Sequence, residues 1–354
     1  MQLINRIQAF AKLGKFMSQF SDNNYLKKEN IPYNDLYFNN MVELIKQSKS
    51  HNGWFNESNI QFAFKSWGEC LTEKNLQKWT AQYNIDNSSN KKIAIILAGN
   101  IPLVGFHDFL SVLISGNNVI AKLSSNDKLL LPFLANYLIE LEPAFMDKIN
   151  FTSEQLVNFD AVIATGSNNT ARYFDYYFGK YPNIIRKNRN SVAILSGNET
   201  EHELIALADD IFRYYGLGCR NVSKIYIPEG YNFETFFKAI FYWKEIINDH
   251  KYINNYDYNK AVYLMSNINL LDNEFLLLKE DTNFSSPISV LFYEYYENLS
   301  DLKKTLEHEK ENIQCIVSNM EINQKVNFGD SQSPNLWDYA DDVDTLDFLL
   351  NLAN

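Results

Sequence analysis

The chain has 354 residues, 46% of them hydrophobic and 15% aromatic, enough apolar material for two domains of ordinary size and too much for a disordered chain. A formal net charge of −11 argues against nucleic acid as a partner, because phosphate backbones are met by a basic face. Three scattered cysteines (Cys70, Cys219, Cys315) make no disulfide framework, and the five histidines show no metal-ligand spacing; a cytoplasmic chain without a bound metal is expected.

At the N-terminus Leu3, Ile7, Phe10, Leu13, Met17 and Phe20 recur every three or four residues, with Arg6, Lys12 and Lys15 between them. That is an amphipathic helix, not the continuous apolar core of a signal peptide. Such a stripe could lie on a membrane surface, but packing against the protein's own core is the preferred reading. No stretch reaches the ~20 apolar residues of a transmembrane span. Residues 1 to 90 read as helical, closing in the polar linker Asp86-Asn87-Ser88-Ser89-Asn90.

The pattern then changes to short strands alternating with helices. Ile93–Leu97 is a buried-strand run broken by Gly99-Asn100-Ile101-Pro102; a helix over Leu103–Ser115 is closed by Gly116. Val119–Lys122 is the next strand, Ser124–Asp127 a helix start, and Leu141 that helix's end. Asp160–Thr165 is a third strand, leading through Gly166-Ser167 into a helix, and Ser191–Leu195 a fourth. This alternation predicts an α/β fold with a doubly wound parallel sheet, whose ligands bind at the carboxyl ends of the strands. The turns at Gly99-Asn100, Ser124-Ser125 and Gly166-Ser167 should therefore share one rim.

Thr200 and Glu203 have the spacing of a capping box, followed by the helix face Leu204, Leu207, Ala208, Ile211 and Tyr215, with Gly216 as the stop. Cys219 then sits in the turn Gly216-Leu217-Gly218-Cys219 before the strand Lys224–Ile227, stopped by Pro228. Glycines there let a ligand approach the backbone closely. Arg220 would lower the thiol's pKa if it points inward. Residues 230 to 280 carry no sharp motif. Pro287–Phe292 and Ile313–Ser318 read as strands, Leu302–His308 as a helix, and Gly329–Asp344 as an acidic loop before a short terminal helix. Cys70 and Cys315 read as core residues, and His107 as a core or rim histidine. Arg186-Lys187-Asn188-Arg189 reads as a solvated loop, with a CoA or cofactor phosphate as its alternative partner.

In this order the motifs carry a resemblance. Gly99-Asn100-Ile101-Pro102 resembles the Asn-x-Pro turn of aldehyde dehydrogenases, Gly116 to Ser125 their strand ending in Lys-x-Ser, and Ala164-Thr165-Gly166-Ser167 their Thr-Gly-Ser turn. Cys219 matches the nucleophile in order and setting, and Phe284-Ser285-Ser286-Pro287 resembles the Phe-Gly-Pro strand. Ala98–Pro102 and the tail Gln332–Ala340 are nearest to the LuxC-type acyl-CoA reductases, relatives of the fatty-acyl reductase of bacterial luminescence.

The resemblance implies an aldehyde dehydrogenase-like fold, with a helical N-terminal segment and NAD(P)-binding domain over 1–190. A catalytic domain over 191–325 would carry the cysteine, and a tail over 326–354 would pack back on the cofactor domain. It implies that Cys219 attacks an acyl thioester, acyl-CoA or acyl-protein, while Asn100 and the Cys219 N–H hold the oxyanion. It assigns Lys122, with Ser124 and Ser125, to the adenosine ribose or 2′-phosphate of NADPH (or NADH). Gly166 and Ser167 would face the cofactor at a helix start, where backbone N–H groups favour phosphate.

Hydrolytic relatives carry a water-activating glutamate where this chain has Ile184–Arg189, so reduction to an aldehyde is expected rather than hydrolysis. The glutamate of Glu-x-Phe is also missing, with Thr282 or Asn283 nearby. Oxidative, CoA-acylating aldehyde dehydrogenation, a cysteine acyltransferase or thioesterase, and an inactive partner subunit stay open as alternatives. A homo-oligomer without a membrane span is expected.

Overall fold

A computed structural model describes residues 1–85 and 90–352; the linker read at Asp86–Ser89 lies outside them. The chain divides into two compact units, Met1–Lys187 with Asn335–Asn354, and Asn188–Pro334.

The first unit begins with helices α1 (Leu3–Met17), α2 (Asn34–His51), α3 (Glu57–Cys70) and α4 (Glu73–Thr80). In α1, Ile7, Phe10, Leu13, Phe16 and Met17 are buried, while Gln8, Lys12 and Lys15 face out. This stripe is core, not membrane surface. Arg6 corrects the sequence reading: it is fully buried, because position 6 precedes Phe10 by four residues and Leu13 by seven, on the same helical stripe. Burial lowers its guanidinium to about 10. Among the described residues no helix is long and apolar enough to cross a membrane.

The sheet of this unit runs through β1 (Lys92–Ile96), α5 (Phe106–Ile114), β2 (Asn118–Lys122), α6 (Leu130–Leu141), β3 (Ile149–Thr152), β4 (Ala161–Thr165), α7 (Asn168–Phe178) and β5 (Asn183–Arg186). Its order is β3-β2-β1-β4-β5 and every pairing is parallel. Strand alternation explains the double winding. Ile93, Ile95, Val119 and Ile163 join one face with Phe106 and Leu110 of α5. Ala94, Val162 and Ala164 join the other with Phe174 and Phe178 of α7. The edge strands β3 and β5 escape the sequence reading because each is four residues long and partly polar.

Two helix starts differ from expectation. Residues 100–105 are turn, with Leu103 left-handed (φ 58°), and α5 starts only at Phe106. Ser124–Asp127 do not open α6, which starts at Leu130, because Asp127 is held in a turn by Ser124 and accepts the Leu103 and Leu130 N–H groups.

In the second unit the elements are β6 (Asn190–Ile194), α8 (Glu201–Phe212), β7 (Val222–Pro228), α9 (Phe233–Ile240), α10 (His250–Met265), β8 (Leu271–Asp272), β9 (Leu277–Glu280), β10 (Val290–Tyr296), α11 (Leu299–His308), β11 (Ile313–Val317) and β12 (Lys325–Val326). The order is β12-β11-β6-β7-β10-β9-β8, parallel except for β8. The expected fourth strand is therefore β6 of a second sheet. Its partners β7 and β11 come later in the chain, and a local apolar run does not say which sheet a strand joins. Pro287–Ser289 precede the strand expected at 287–292, which begins at Val290.

After Pro334 the chain returns to the first unit and ends in α12 (Thr345–Leu350). His107 Nε2–H donates to the Leu336 carbonyl at 2.9 Å, and the Tyr339 hydroxyl accepts from Trp79 Nε1 at 2.7 Å. Tyr83 donates to Asp344 at 2.6 Å. Arg186, expected in a solvated loop, is buried against Asp108 of α5 and donates to Thr345 at 2.9 Å. The strand β5 carries it inward, so only the residues beyond it are free to be loop.

Candidate functional site

In the first unit the carboxyl ends of β2, β1 and β4 are neighbours, so the turns carrying Ser124-Ser125, Gly99-Asn100 and Gly166-Ser167 share one rim. Strand order reverses between β1 and β4, the crevice where open α/β sheets bind ligands. Asn100, Ser125 and Ser167 are exposed; Lys122, the last residue of β2, Ser124 and Gly166 are half-buried.

The first two turns are packed into each other. A Cβ on Gly99 would stand 2.5 Å from Ser124 Oγ and 2.7 Å from its Cβ, so glycine is needed there for close approach. Asn52, at the C-terminus of α2 and buried, donates its amide to both the Gly99 carbonyl (3.2 Å) and the Asn126 carbonyl (3.3 Å). Asp127 adds a third tie through the Leu103 N–H at 3.4 Å, and burial pushes its carboxyl up to about 6. At the third turn Ser167 caps α7, accepting from the Thr170 N–H at 3.3 Å.

In the second unit Cys219 is exposed in the turn between α8 and β7. The helix starts at the Thr200–Glu203 capping box, but it stops at Phe212, earlier than the stripe through Tyr215 suggests. Tyr214 and Tyr215 are left-handed (φ 54° and 59°) and buried, followed by Gly216 at φ 76°. A left-handed non-glycine residue costs about 1–2 kcal/mol, so something must hold this reversal.

Asn221 is that holder. Its Oδ1 accepts the Gly218 N–H at 2.8 Å, and its Nδ2 donates to the Arg213 carbonyl at 2.8 Å and the Asp210 carbonyl at 3.0 Å. It ties the open end of α8 to the cysteine turn. Ser191 of β6 donates to the Cys219 carbonyl at 3.0 Å and lies 2.9 Å from Cys315 Sγ. Burial pushes the Cys315 thiol to about 11, and the Cys70 thiol likewise, as suits packing residues.

Sequence reasoning missed Asn52, Asp127, Ser191 and Asn221. The one local signal was the type of residue: Asn and Asp hydrogen-bond to nearby backbone in turns, and Asn221 follows the cysteine by two.

The family model for "Acyl-CoA reductase (LuxC)" matches residues 4–240, more than half of the chain. The chain belongs to that family. No curated protein matches it in sequence. Among solved structures it is similar to aldehyde dehydrogenase 21 from Physcomitrella patens, described in complex with the reaction product succinate. The two are 12% identical with a TM-score of 0.67, over 91% of this chain and 74% of that one. An NAD+ complex of an aldehyde dehydrogenase from Bacillus cereus gives 13%, 0.60, 91% and 73%. An NADP-dependent enzyme of E. coli gives 12%, 0.63, 91% and 74%. These likenesses show an aldehyde dehydrogenase-like fold. With the family match, they make the chain an oxidoreductase of aldehydes or acyl thioesters.

Proposed function

We propose that this LuxC-family chain reduces a fatty acyl-CoA, or an acyl-protein thioester, to the aldehyde through an acyl-enzyme on Cys219. The observation that carries the reading is the exposed Cys219 thiol in a turn braced by Asn221 and Ser191, in a family of acyl-CoA reductases. The thiolate attacks the thioester carbonyl, and the Asn100 amide with the Cys219 N–H stabilises the oxyanion. The C–S bond to CoA breaks, CoA leaves as thiolate, and Cys219 keeps the acyl group. A reduced nicotinamide, held by the residues named below, would supply hydride to that acyl carbon; collapse of the hemithioacetal then breaks its C–S bond, returns Cys219 as thiolate and releases the aldehyde.

The first unit is read as the cofactor unit and the second as the nucleophile unit, the tail from Asn335 belonging to the first. The rim suits a dinucleotide carrying a 2′-phosphate. NAD sites present a carboxylate to the ribose after the second strand, whereas here the one carboxylate of the 122–127 turn, Asp127, is directed at the Leu103 and Leu130 N–H groups. Lys122, Ser124 and Ser125 are left to meet phosphate, which favours NADPH over NADH. Gly166 and Ser167, at the start of α7, would face the pyrophosphate. Two of the similar structures are described with NAD+ or NADP.

Water is a poor competitor for the acyl-enzyme. In the segment where hydrolytic relatives carry their glutamate, Arg186 stands instead and is turned inward to Asp108. A homo-oligomer is part of the reading, by family resemblance.

The test is loss of reduced-nicotinamide absorbance with a panel of acyl-CoAs, NADPH and NADH separately, for the native chain and Cys219→Ala. Turnover only by the native chain supports the reading, and the faster cofactor decides the 2′-phosphate argument. Acyl transfer onto Cys219 without turnover would convert it to an acyltransferase or a member needing a partner. Neither signal would make it an inactive member.

A further inference from the structure

Ser191, on β6, is fully buried, and both neighbouring strands lose their regular register beside it. On β11, Ile313 pairs with Asn190 and Ile316 with Val192, so Gln314 and Cys315 together oppose Ser191. On β7, Val222 pairs with Ser191 and Lys224 with Val192, which leaves Ser223 as an extra residue. Each is a β-bulge, a device rare between parallel strands that interrupts the ladder and re-aims a side chain. Two of them meeting at one serine call for a cause.

The hydrogen bonds show what the bulges bring together. Ser191 Oγ–H donates to the Cys219 carbonyl at 3.0 Å, and Cys315 Sγ lies 2.9 Å from the same Oγ. A hydroxyl has one proton to give. With that proton on the Cys219 carbonyl, the Cys315 thiol is the donor to Ser191, and residues from β11, β6 and the turn before β7 form one chain. The burial that keeps the Cys315 thiol protonated keeps it a donor.

At its far end the chain reaches the backbone of Cys219. Residues 218–221 form a β-turn with Cys219 and Arg220 at its centre, the Asn221 N–H donating to the Gly218 carbonyl at 3.0 Å. Asn221 thus holds the peptide before Cys219, and Ser191 holds the peptide after it. With both planes fixed, so is the direction of the Cys219 Cα–Cβ bond. An exposed thiol between Gly216-Leu217-Gly218 and the strand would otherwise swing with its turn.

We propose that Ser191 is a positioning residue for the Cys219 thiol, its hydroxyl oriented by the Cys315 S–H, and that this relay aims the sulfur for attack on an acyl thioester. The proposal rests on Cys219 being the nucleophile. A small alkylating reagent can meet the sulfur from any open side, whereas a thioester must present its carbonyl along one line. Loss of the relay should therefore separate the two reactions.

The experiment compares full-length wild type with Ser191→Ala, Cys315→Ala and Cys315→Ser. Acylation of Cys219 by decanoyl-CoA without cofactor is followed by intact mass. Alkylation of Cys219 by iodoacetamide from pH 6 to 10, read by peptide mapping, gives the thiol's own reactivity and titration. In Ser191→Ala acylation should fall about 10- to 100-fold, the larger figure being the scale of a 1 Å misplacement, while alkylation stays within about threefold. The midpoint of the alkylation profile should not move. Cys315→Ala should show the same split, smaller, and Cys315→Ser, which keeps a donor, should restore most of the acylation rate. A cysteine that only packs predicts the reverse order, since Cys315→Ser buries a hydroxyl and Cys315→Ala does not. Acylation and alkylation falling together, neither falling, or Cys315→Ser acylating no faster than Cys315→Ala overturns the proposal. If Ser191→Ala does not fold, the two Cys315 variants decide on the same terms. A wild type that carries no acyl group on Cys219 overturns the nucleophile reading and the positioning role with it; an acylated wild type with unsplit variants overturns the role alone.

Discussion

Replacing Asn221 with alanine should loosen the cysteine turn and the end of α8 together. The side chain makes three good hydrogen bonds, to the Gly218 N–H and the Arg213 and Asp210 carbonyls, and is buried at 2% exposure. Each lost bond costs about 1 kcal/mol net, and more where a buried carbonyl is left without water, so the total is about 3–5 kcal/mol. Part of the strain in left-handed Tyr214 and Tyr215 is then relieved, which places the expectation at the lower end. For a protein of this size that is a fall in Tm of roughly 6–12 °C. Asn221→Asp is the sharper probe: it keeps an acceptor for Gly218 but turns a carboxylate on the carbonyls at the negative end of α8, so it should be at least as damaging. Thermal melts and the rate of Cys219 alkylation by iodoacetamide would be measured for both. An alanine variant melting within about 2 °C of wild type, or an aspartate variant as stable as the native chain, would refute the brace.

Three further outcomes are expected. Asp108→Ala leaves Arg186 buried without its counter-charge and should destabilise by about 3–5 kcal/mol. Urea unfolding measures the loss, and an unchanged midpoint would mean the pair contributes nothing. Burial pushes the Asp210 carboxyl up to about 6, above the roughly 3.9 of an unfolded aspartate. Its favourable contribution is therefore fully present below about pH 4 and is lost as pH rises towards 6, by up to about 3 kcal/mol. The stability difference between wild type and Asp210→Asn across pH 4–7 should show that slope, and a flat difference would contradict it. Finally, native protein treated with iodoacetamide at pH 8 should be labelled at Cys219 and spare Cys70 and Cys315, whose thiols burial pushes to about 11. Peptide mapping that finds Cys315 labelled as fast would remove the distinction.

What the sequence makes legible is what has a local cause. Ile93–Ile96 is apolar on both sides because the strand is covered on both faces. The Thr200–Glu203 box works within one turn of helix. Gly116 follows the last turn of α5 at φ 93° and takes the conformation expected of a stop. The helix α10 is illegible for a local reason too: Tyr252, Tyr256 and Asn259 are buried while Tyr258, Leu264 and Met265 are exposed. Its apolar residues lie all round the axis, and no stripe forms.

The groups that hold the rim and the cysteine turn are hidden for another reason. Asn52 lies 47 residues from Gly99 and 74 from Asn126, whose carbonyls it joins. Ser191 meets the Cys219 carbonyl across 28 residues and Cys315 across 124. A hydrogen bond between distant segments leaves no period, spacing or turn signature in either one. The candidates Asn100 and Cys219 stand in glycine-containing turns, and such turns have a composition that can be read locally. Their supports stand wherever the fold brings a donor to a carbonyl, and any strand or helix end can supply one. Reading a sequence thus reaches candidate reactive groups before it reaches the residues that hold their turns.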